Sequence, residues 1–391
     1  MEAKRIEILY QHYRNHLLDD VVPFWLGALD RQKGGFFNSL DRDGSVFDTD
    51  KSMWLQARAT WLFAELYNNV EQRQEWLQAA RHGYIFLSRY GFDSDGRMFF
   101  ATTRDGRPLR KRRYLFTESF GVIACAEYAQ ATSDASALTR ARMMFRLMLA
   151  LQDKLPPKEI PETRTTRAHA WPMILLATTQ ELRQADRDGL YVDVVDRALS
   201  QIFSFHARQD LRAVLETVGP TGEQLNSAEG RVICPGHALE SAWFILREAQ
   251  HRKNDPALIQ RALEMIDWSL ERGWDNEYGG LFYYVDLEGK PSPRLEWDMK
   301  LWWPHSEALY ALLLAHHLSG EARYAEWYER IHEWTFAHFP DPEHGEWYGY
   351  LRRDGSISSR LKGNMWKGAF HVPRALLNCM HLLGRMAESD V

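Results

Sequence analysis

Long apolar-rich stretches alternate along the chain with short, glycine-bounded aromatic ones. SMWLQARATWLFAELYNNV, TESFGVIACAEYAQAT, AWPMILLATTQELRQA, GHALESAWFILREAQHR, HSEALYALLLAHHLSG and VPRALLNCMHLLGRM carry apolar residues on more than one stripe. They read as helices buried on most sides. EWLQAARHGYIFLSRYG, ASALTRARMMFRLMLALQ and PALIQRALEMIDWSLERG are amphipathic and read as helices with one covered face. Between the helices lie KGGFFNSLDRDGS (33–45), DGRMFFATTRDGRP (95–108), YGGLFYYVDLEGKP (278–291) and HGEWYGYLRRDGSI (344–357). Each has Gly, then aromatics alternating with polar residues, then a DG or EG turn, which predicts a short β-hairpin. LETVGPTGEQL (215–225) is a weaker copy.

These hairpins recur about every 60 to 65 residues, apart from one double gap. The missing unit falls near residue 157, in the Pro-rich KLPPKEIPET, and six units then fill 391 residues. One inner and one outer helix per unit predict an all-α fold, an (α/α)6 barrel with short hairpins at one end. An open helical solenoid is the alternative; six units in even rhythm favour closure. No Gly/Ser linker or composition break interrupts residues 1–391, so a single domain is expected.

Composition narrows the function classes. A net charge of −5 asks for neither nucleic acid nor an anionic membrane. The one basic run, RPLRKRR at 107–113, follows a DG turn and reads as a solvated loop. Cys125, Cys234 and Cys379 are far apart and form neither a metal-ligand spacing nor a disulfide framework. The N-terminus is charged and amphipathic, and no apolar run approaches the roughly 20 residues needed to span a bilayer. A soluble, cytoplasmic protein is expected. The 13% aromatic content exceeds what a core requires and suits carbohydrate, whose C–H faces stack on rings.

The chemistry collects where inner helices begin. Pro is favoured in a first helical turn, where its missing N–H costs nothing. Four such starts pair Pro with His: His169 in RAHAWPMILL, His237 in CPGHALESAW, His305 in WWPHSEAL and His371 in FHVPRALL. Inner-helix starts share one end of a barrel, so four imidazoles should ring one mouth. His237, Glu240, Ser241 and Phe244 share a helix face. His305 and Glu307 lie within one turn of another start, and Arg58 sits on the first inner helix. Lys300 is expected to pair with Asp298 or Glu296. The absence of HExxH, of a GxSxG elbow and of Cys in the cluster argues against a metal and against serine hydrolysis.

Imidazole takes and gives protons near neutral pH. Two imidazoles flanking one carbon could strip a proton from one face and return one to the other, at C2 of an open-chain aldose. The enediolate would need donors such as Arg58 and the converging helix N-termini. The residues thus allow a sugar epimerase, an aldose–ketose isomerase, or a glycosidase using Glu240 and Glu307.

FTESFGVIACAEYA, HAWPMILL, PGHALESAWFIL, EWDMKLWWPHSEAL, HGEWYGYLRRDG and WKGAFHVPR together resemble the N-acylglucosamine 2-epimerase family. Its superfamily includes cellobiose 2-epimerase and the sulfoquinovose and mannose isomerases. The resemblance runs nearly end to end, and the PGHxxE, KLWWPHxEA and GEWYGYL wording is similar to the N-acylglucosamine branch. It implies an (α/α)6 barrel that interconverts N-acetylglucosamine and N-acetylmannosamine. It also implies acid/base roles for His237 and His371, an essential Arg58, and site glutamates Glu240 and Glu307. His169, Trp302, Trp303 and Trp366 match pocket residues, with His305 beside them holding hydroxyls or orienting an imidazole. No metal or redox cofactor is implied. ATP acts as a non-consumed effector in parts of the branch, and members are often homodimers. Mannose 2-epimerisation, mannose–fructose isomerisation and a non-catalytic sugar-binding role are the alternatives.

Overall fold

A computed structural model describes residues 1–156 and 159–389. Helices α1 (Ala3–Asn15), α2 (Val22–Gly27), α3 (Met53–Asn69), α4 (Gln74–Tyr90), α5 (Phe116–Thr132), α6 (Ala135–Leu151) and α7 (Ala170–Ala185) build the first half. The second half holds α8 (Leu190–Gln201), α9 (Pro235–His251), α10 (Pro256–Gly273), α11 (Trp302–Ser319), α12 (Ala322–His338) and α13 (His371–Ser389). The odd-numbered helices from α3 to α13 form an inner ring, and even-numbered helices from α4 to α12 cover it. The chain's first helix, α1, covers the last inner one, α13.

The inner helices are the ones read as apolar on several stripes. In α11 every residue from Trp302 to Ala315 is buried, and Gly320 ends the helix at φ 71°. A left-handed residue there suits glycine, which has no Cβ to clash. In the outer helix α10 only one face is buried, and Asp255 caps its N-terminus through the N–H groups of Ala257 and Leu258. Pro172, Pro235, Pro304 and Pro373 all fall in the first turns of inner helices, as expected.

Three of the expected hairpins close on themselves: 39–40 with 46–48, 101–102 with 108–110, and 350–351 with 357–359. The other two pair elsewhere. Val285–Asp286 joins Val232–Ile233, and Thr217–Val218 joins Arg167–Ala168. The expected unit near 157 falls partly outside the described residues; the strand that follows it is Arg167–Ala168. A rule links these pairings. The two residues entering an inner helix pair with the strand that follows the next outer helix: 51–52 with 101–102, 167–168 with 217–218, 232–233 with 285–286, and 300–301 with 350–351. These pairings latch four of the units to the next. A bridge between Leu40 and Gly363 latches the last to the first, so the ring closes rather than spiralling open.

Charge reinforces the latches. Lys300 does not pair with Asp298 or Glu296; its Nζ lies 3.0 Å from Asp275 Oδ2, both side chains being buried. Glu296 and Asp298 lie in the turn that precedes the short strand, whereas Asp275 follows the end of α10 in the preceding unit. Arg353 from the next hairpin completes the triad at 2.8 Å. Asp30 with Lys51 and Arg104, and Asp341 with Lys362 and Arg42, repeat it. A charge taken from water survives only with such partners. The basic run 107–113 is largely exposed, although Lys111 pairs with Asp93 and Asp95.

Candidate active site

A cleft of ≈ 510 Å³ opens at the end of the ring where the inner helices start. Its polar lining comes from α3 (Arg58), α9 (His237, Glu240) and α13 (His371, Arg374), with Glu296, Tyr283 and Tyr350 at connecting segments. Its aromatic walls include Trp54, Trp302, Trp303 and Trp366. Trp303 sits between the two histidines, its ring centroid 4.9 Å from that of His237 and 5.8 Å from that of His371.

Each cleft histidine is held from behind by a carboxylate. His371 Nδ1–H donates to Glu307 Oε1 at 2.7 Å, and His237 Nδ1–H donates to Glu216 Oε2 at 2.9 Å. Fixing Nδ1 as the donor leaves each Nε2 as the working nitrogen. The two dyads differ in their surroundings. Burial opposes the His237 cation, but the Glu216 carboxylate outweighs it and holds the imidazole pKa well above its usual value. Burial likewise opposes the Glu216 anion, and the His237 and His169 imidazoles overcome it, keeping that carboxyl well below the usual range. His371 goes the other way: burial and the Arg58 and Arg374 charges push its pKa well below normal. The two dyads are thus biased in opposite senses, His237 toward the imidazolium and His371 toward the neutral imidazole.

Arg374 competes with His371 for the Glu307 carboxylate. Its Nη2 donates to Glu307 Oε1 at 2.6 Å and also to Glu240 Oε1, so the anion is already shared. Glu307 further accepts from Trp243 Nε1 at 2.8 Å. Among the described residues Arg58 forms no ion pair with a carboxylate, although Glu240 and Glu307 act on its charge from a distance. Its guanidinium is stacked among Phe120, Trp54 and Phe370, 4.0 to 4.5 Å from their centroids, and its buried Nε has no hydrogen-bond partner. A buried donor left over in a cleft is suited to an anion that arrives with the ligand.

The four-histidine ring resolves into two at the cleft and two behind it. His169 is fully buried; its Nε2 lies 3.0 Å from Ser241 Oγ and its Nδ1 3.6 Å from Glu216, so it backs the His237 dyad. His305 faces the outer layer. Its Nδ1–H donates to the Leu301 carbonyl, its Nε2 accepts the Leu281 N–H at 2.9 Å, and its ring stacks on Trp334 of α12. Burial pushes its pKa down to about 3. Although it stands three residues after Trp302 on α11, its ring is taken up by the outer layer and does not line the cleft. Arg58, Glu240, Trp302, Trp303 and Trp366 line the cleft, and Glu307 lies behind it.

Sequence reasoning missed Glu216 and Arg374. Arg374 lies three residues after His371 on one helix face, a spacing that could have revealed it. Glu216 sits in a connecting segment without periodicity. Donor atoms of Glu216, Cys234 and His237, and of Glu240, Glu307 and His371, lie close enough to share a cation. In both groups the imidazole and carboxylate already hydrogen-bond to each other, and Arg374 spans the second.

Comparison with known proteins gives this geometry a family. Residues 35–374 match N-acylglucosamine 2-epimerase (GlcNAc 2-epimerase). N-acylglucosamine 2-epimerase of Bos taurus is 38% identical over 380 residues, spanning 94% of this chain and 90% of that one. The Homo sapiens protein of the same name is 38% identical over 381 residues, 94% and 89% of the two chains. Among solved structures, cellobiose 2-epimerase from Bacillus thermoamylovorans superposes with a TM-score of 0.85 at 21% identity, over 96% of this chain and 99% of that one. That likeness establishes the fold as the (α/α)6 barrel. The chain belongs to the N-acylglucosamine 2-epimerase family.

Proposed function

We propose that the protein interconverts N-acetylglucosamine and N-acetylmannosamine by moving a proton at C2 of the open-chain sugar. The observation that carries this reading is the pair of carboxylate-held imidazoles flanking Trp303, in a cleft shared with an arginine whose buried Nε has no hydrogen-bond partner among the described residues. Ring opening exposes the C1 carbonyl and acidifies the C2–H bond. Neutral His371 Nε2 takes the C2 proton, and the bonding electrons move to the C1 oxygen as an enolate, the 2-acetamido counterpart of an enediolate. Arg58 stabilises that oxygen. The His237 imidazolium delivers its proton to the opposite face of C2, inverting the centre. Turnover leaves His371 protonated and His237 neutral, the distribution from which the reverse reaction starts, and proton exchange with solvent returns both to their starting states.

The remaining roles follow from position. Glu307 and His169 orient the two acid/base histidines. Glu240, tied to Arg374, accepts from sugar hydroxyls, and Trp302, Trp303 and Trp366 stack on the chain of the sugar. His305 is left out of this assignment and holds the fold. The reading treats residues 1–391 as one catalytic domain and needs no metal or redox group, since the chain's own side chains carry the proton. ATP as an effector, a homodimer and a cytoplasmic location go with it. Among the described residues no helix is long and apolar enough to cross a membrane.

Proton NMR of the protein with N-acetylglucosamine in D2O, with and without ATP, tests the proposal. Anomeric signals of N-acetylmannosamine should appear with deuterium at C2. An unchanged spectrum in both samples, with turnover of mannose instead, would replace it with the isomerase or mannose-epimerase alternative.

A further inference from the structure

A thiol stands behind His237, and the proposed reaction makes no use of it. Cys234, fully buried, is the N-cap residue of α9, and His237 follows in the first turn. Glu216 arrives from the segment before Thr217–Val218. A sulfur, an imidazole nitrogen and a carboxylate oxygen from these three residues all lie within 4.8 Å of one another. Cys234 and His237 are spaced Cys-x-x-His, and the third member reaches them only through the fold.

Two polar atoms at the same place are left over. Glu216 Oε2 is bonded to His237, but Glu216 Oε1 is buried with no hydrogen-bond partner among the described residues. His169 is fully buried; its Nδ1 is likewise unpartnered and stands 3.6 Å from that oxygen. Native structures rarely leave buried polar atoms so, and an ion is one of the things that satisfies them.

The other group with ligand-like spacing, Glu240, Glu307 and His371, is closed to a cation, because the Arg374 guanidinium already bonds both carboxylates. Among the described residues no guanidinium bonds Glu216; Arg294 is stacked on Tyr284 and donates to Glu229. Thiolate, imidazole and carboxylate are all ligands of Zn2+, and the thiolate selects against Mg2+ and Ca2+. The side chains of His237 and Glu216 are 25% and 13% exposed, which leaves a cation a way in.

We infer that Glu216, Cys234 and His237 form an inhibitory site for a thiophilic divalent cation of the Zn2+ kind, with His169 as the neighbouring donor. The cation is not a cofactor. Its binding displaces the thiol proton and the His237 Nδ1 proton to solvent. The imidazole is then a neutral metal ligand through Nδ1 and keeps a hydrogen on Nε2. It has no imidazolium proton to give and no lone pair at Nε2 to take one, so proton transfer at C2 stops in both directions. The inhibitory role rests on the function proposed above; the site itself does not.

Co2+ and Zn2+ test the two parts separately. Wild-type protein titrated with CoCl2 should show a thiolate-to-cobalt charge-transfer band, and Cys234→Ser and Cys234→Ala should not. Ser is a favoured N-cap residue, so the start of α9 should survive that change, and Ala serves as the second variant. ZnCl2 should inhibit epimerisation of N-acetylglucosamine by the wild type, with recovery on adding EDTA. In each variant the Zn2+ concentration that halves its own metal-free rate should rise by about tenfold or more, since even an outer partner of a metal ligand is worth that in affinity. No band in wild type, a band that persists in the variants, or equal Zn2+ sensitivity in all three proteins would overturn the site. A band lost in both variants of a protein that turns over no N-acetylglucosamine would uphold the site and remove the function, and the inhibitory role with it.

Discussion

Glu216 Oε2 lies 2.9 Å from His237 Nδ1, and this contact makes His237 unlike the other histidine of the cleft. Among the described residues no arginine hydrogen-bonds to this carboxylate, whereas Glu307 behind His371 is bonded to Arg374. One dyad is therefore poised to give a proton and the other to take one.

Replacing Glu216 by Gln removes the charge that raises the His237 pKa. The protonated form is the active one, so activity is lost as pH rises through that pKa. The alkaline limb of kcat/KM should move to lower pH by about one unit or more. The acid limb belongs to His371, whose pKa lies below the usual imidazole range, and should stay in place. Neutral-pH turnover should drop by roughly tenfold to a hundredfold. A pH profile that superimposes on the wild-type one would remove Glu216 from the mechanism.

Arg58→Lys keeps a positive charge and loses the planar stack among Phe120, Trp54 and Phe370. An ammonium on a flexible stem neither fills that slot nor aims two donors at an oxyanion. A loss of about 10²- to 10³-fold in kcat is expected, with little change in KM. A KM effect alone would assign Arg58 to ground-state binding.

His305→Leu separates packing from chemistry. The Leu281 N–H would lose its acceptor inside the protein, at a cost of about 1–3 kcal/mol read by denaturant unfolding. The activity per folded molecule should stay close to wild type. A large fall in kcat without loss of stability would return His305 to the site.

The contrast between His305 and His371 marks where sequence reading stops. Both follow aromatic residues and flank a Pro in a first helical turn, a local signal that located the right end of the ring. Which way each side chain points depends on its phase relative to the neighbouring helices. The hairpins were legible because DG turns and alternating aromatics are local. The latches were not: Lys300 finds Asp275 across an intervening turn and strand, and no short-range pattern encodes that partner. Glu216 was hidden for the same reason. It comes from a segment outside any periodic element, and only the fold brings it to His237.

Isotope washout separates the two histidines further than turnover does. His237→Asn removes the proton donor and leaves His371 neutral beside Glu307. The epimer whose C2–H faces His371 should still lose that proton, because abstraction needs only the base and Arg58. With no acid on the far face, the enolate is reprotonated from the side it was formed on. Deuterium should therefore enter C2 of one epimer without inversion, while net epimerisation falls by about 10²- to 10⁴-fold. The other epimer, presenting its C2–H to the missing imidazole, should be inert. His371→Asn should invert this selectivity, and exchange should be slower because His237 rests as the cation and offers little base. NMR integration of the C2 proton in D2O reads all four combinations. Equal exchange of both epimers by either variant would mean that one residue serves both faces, and the two-base assignment would fail.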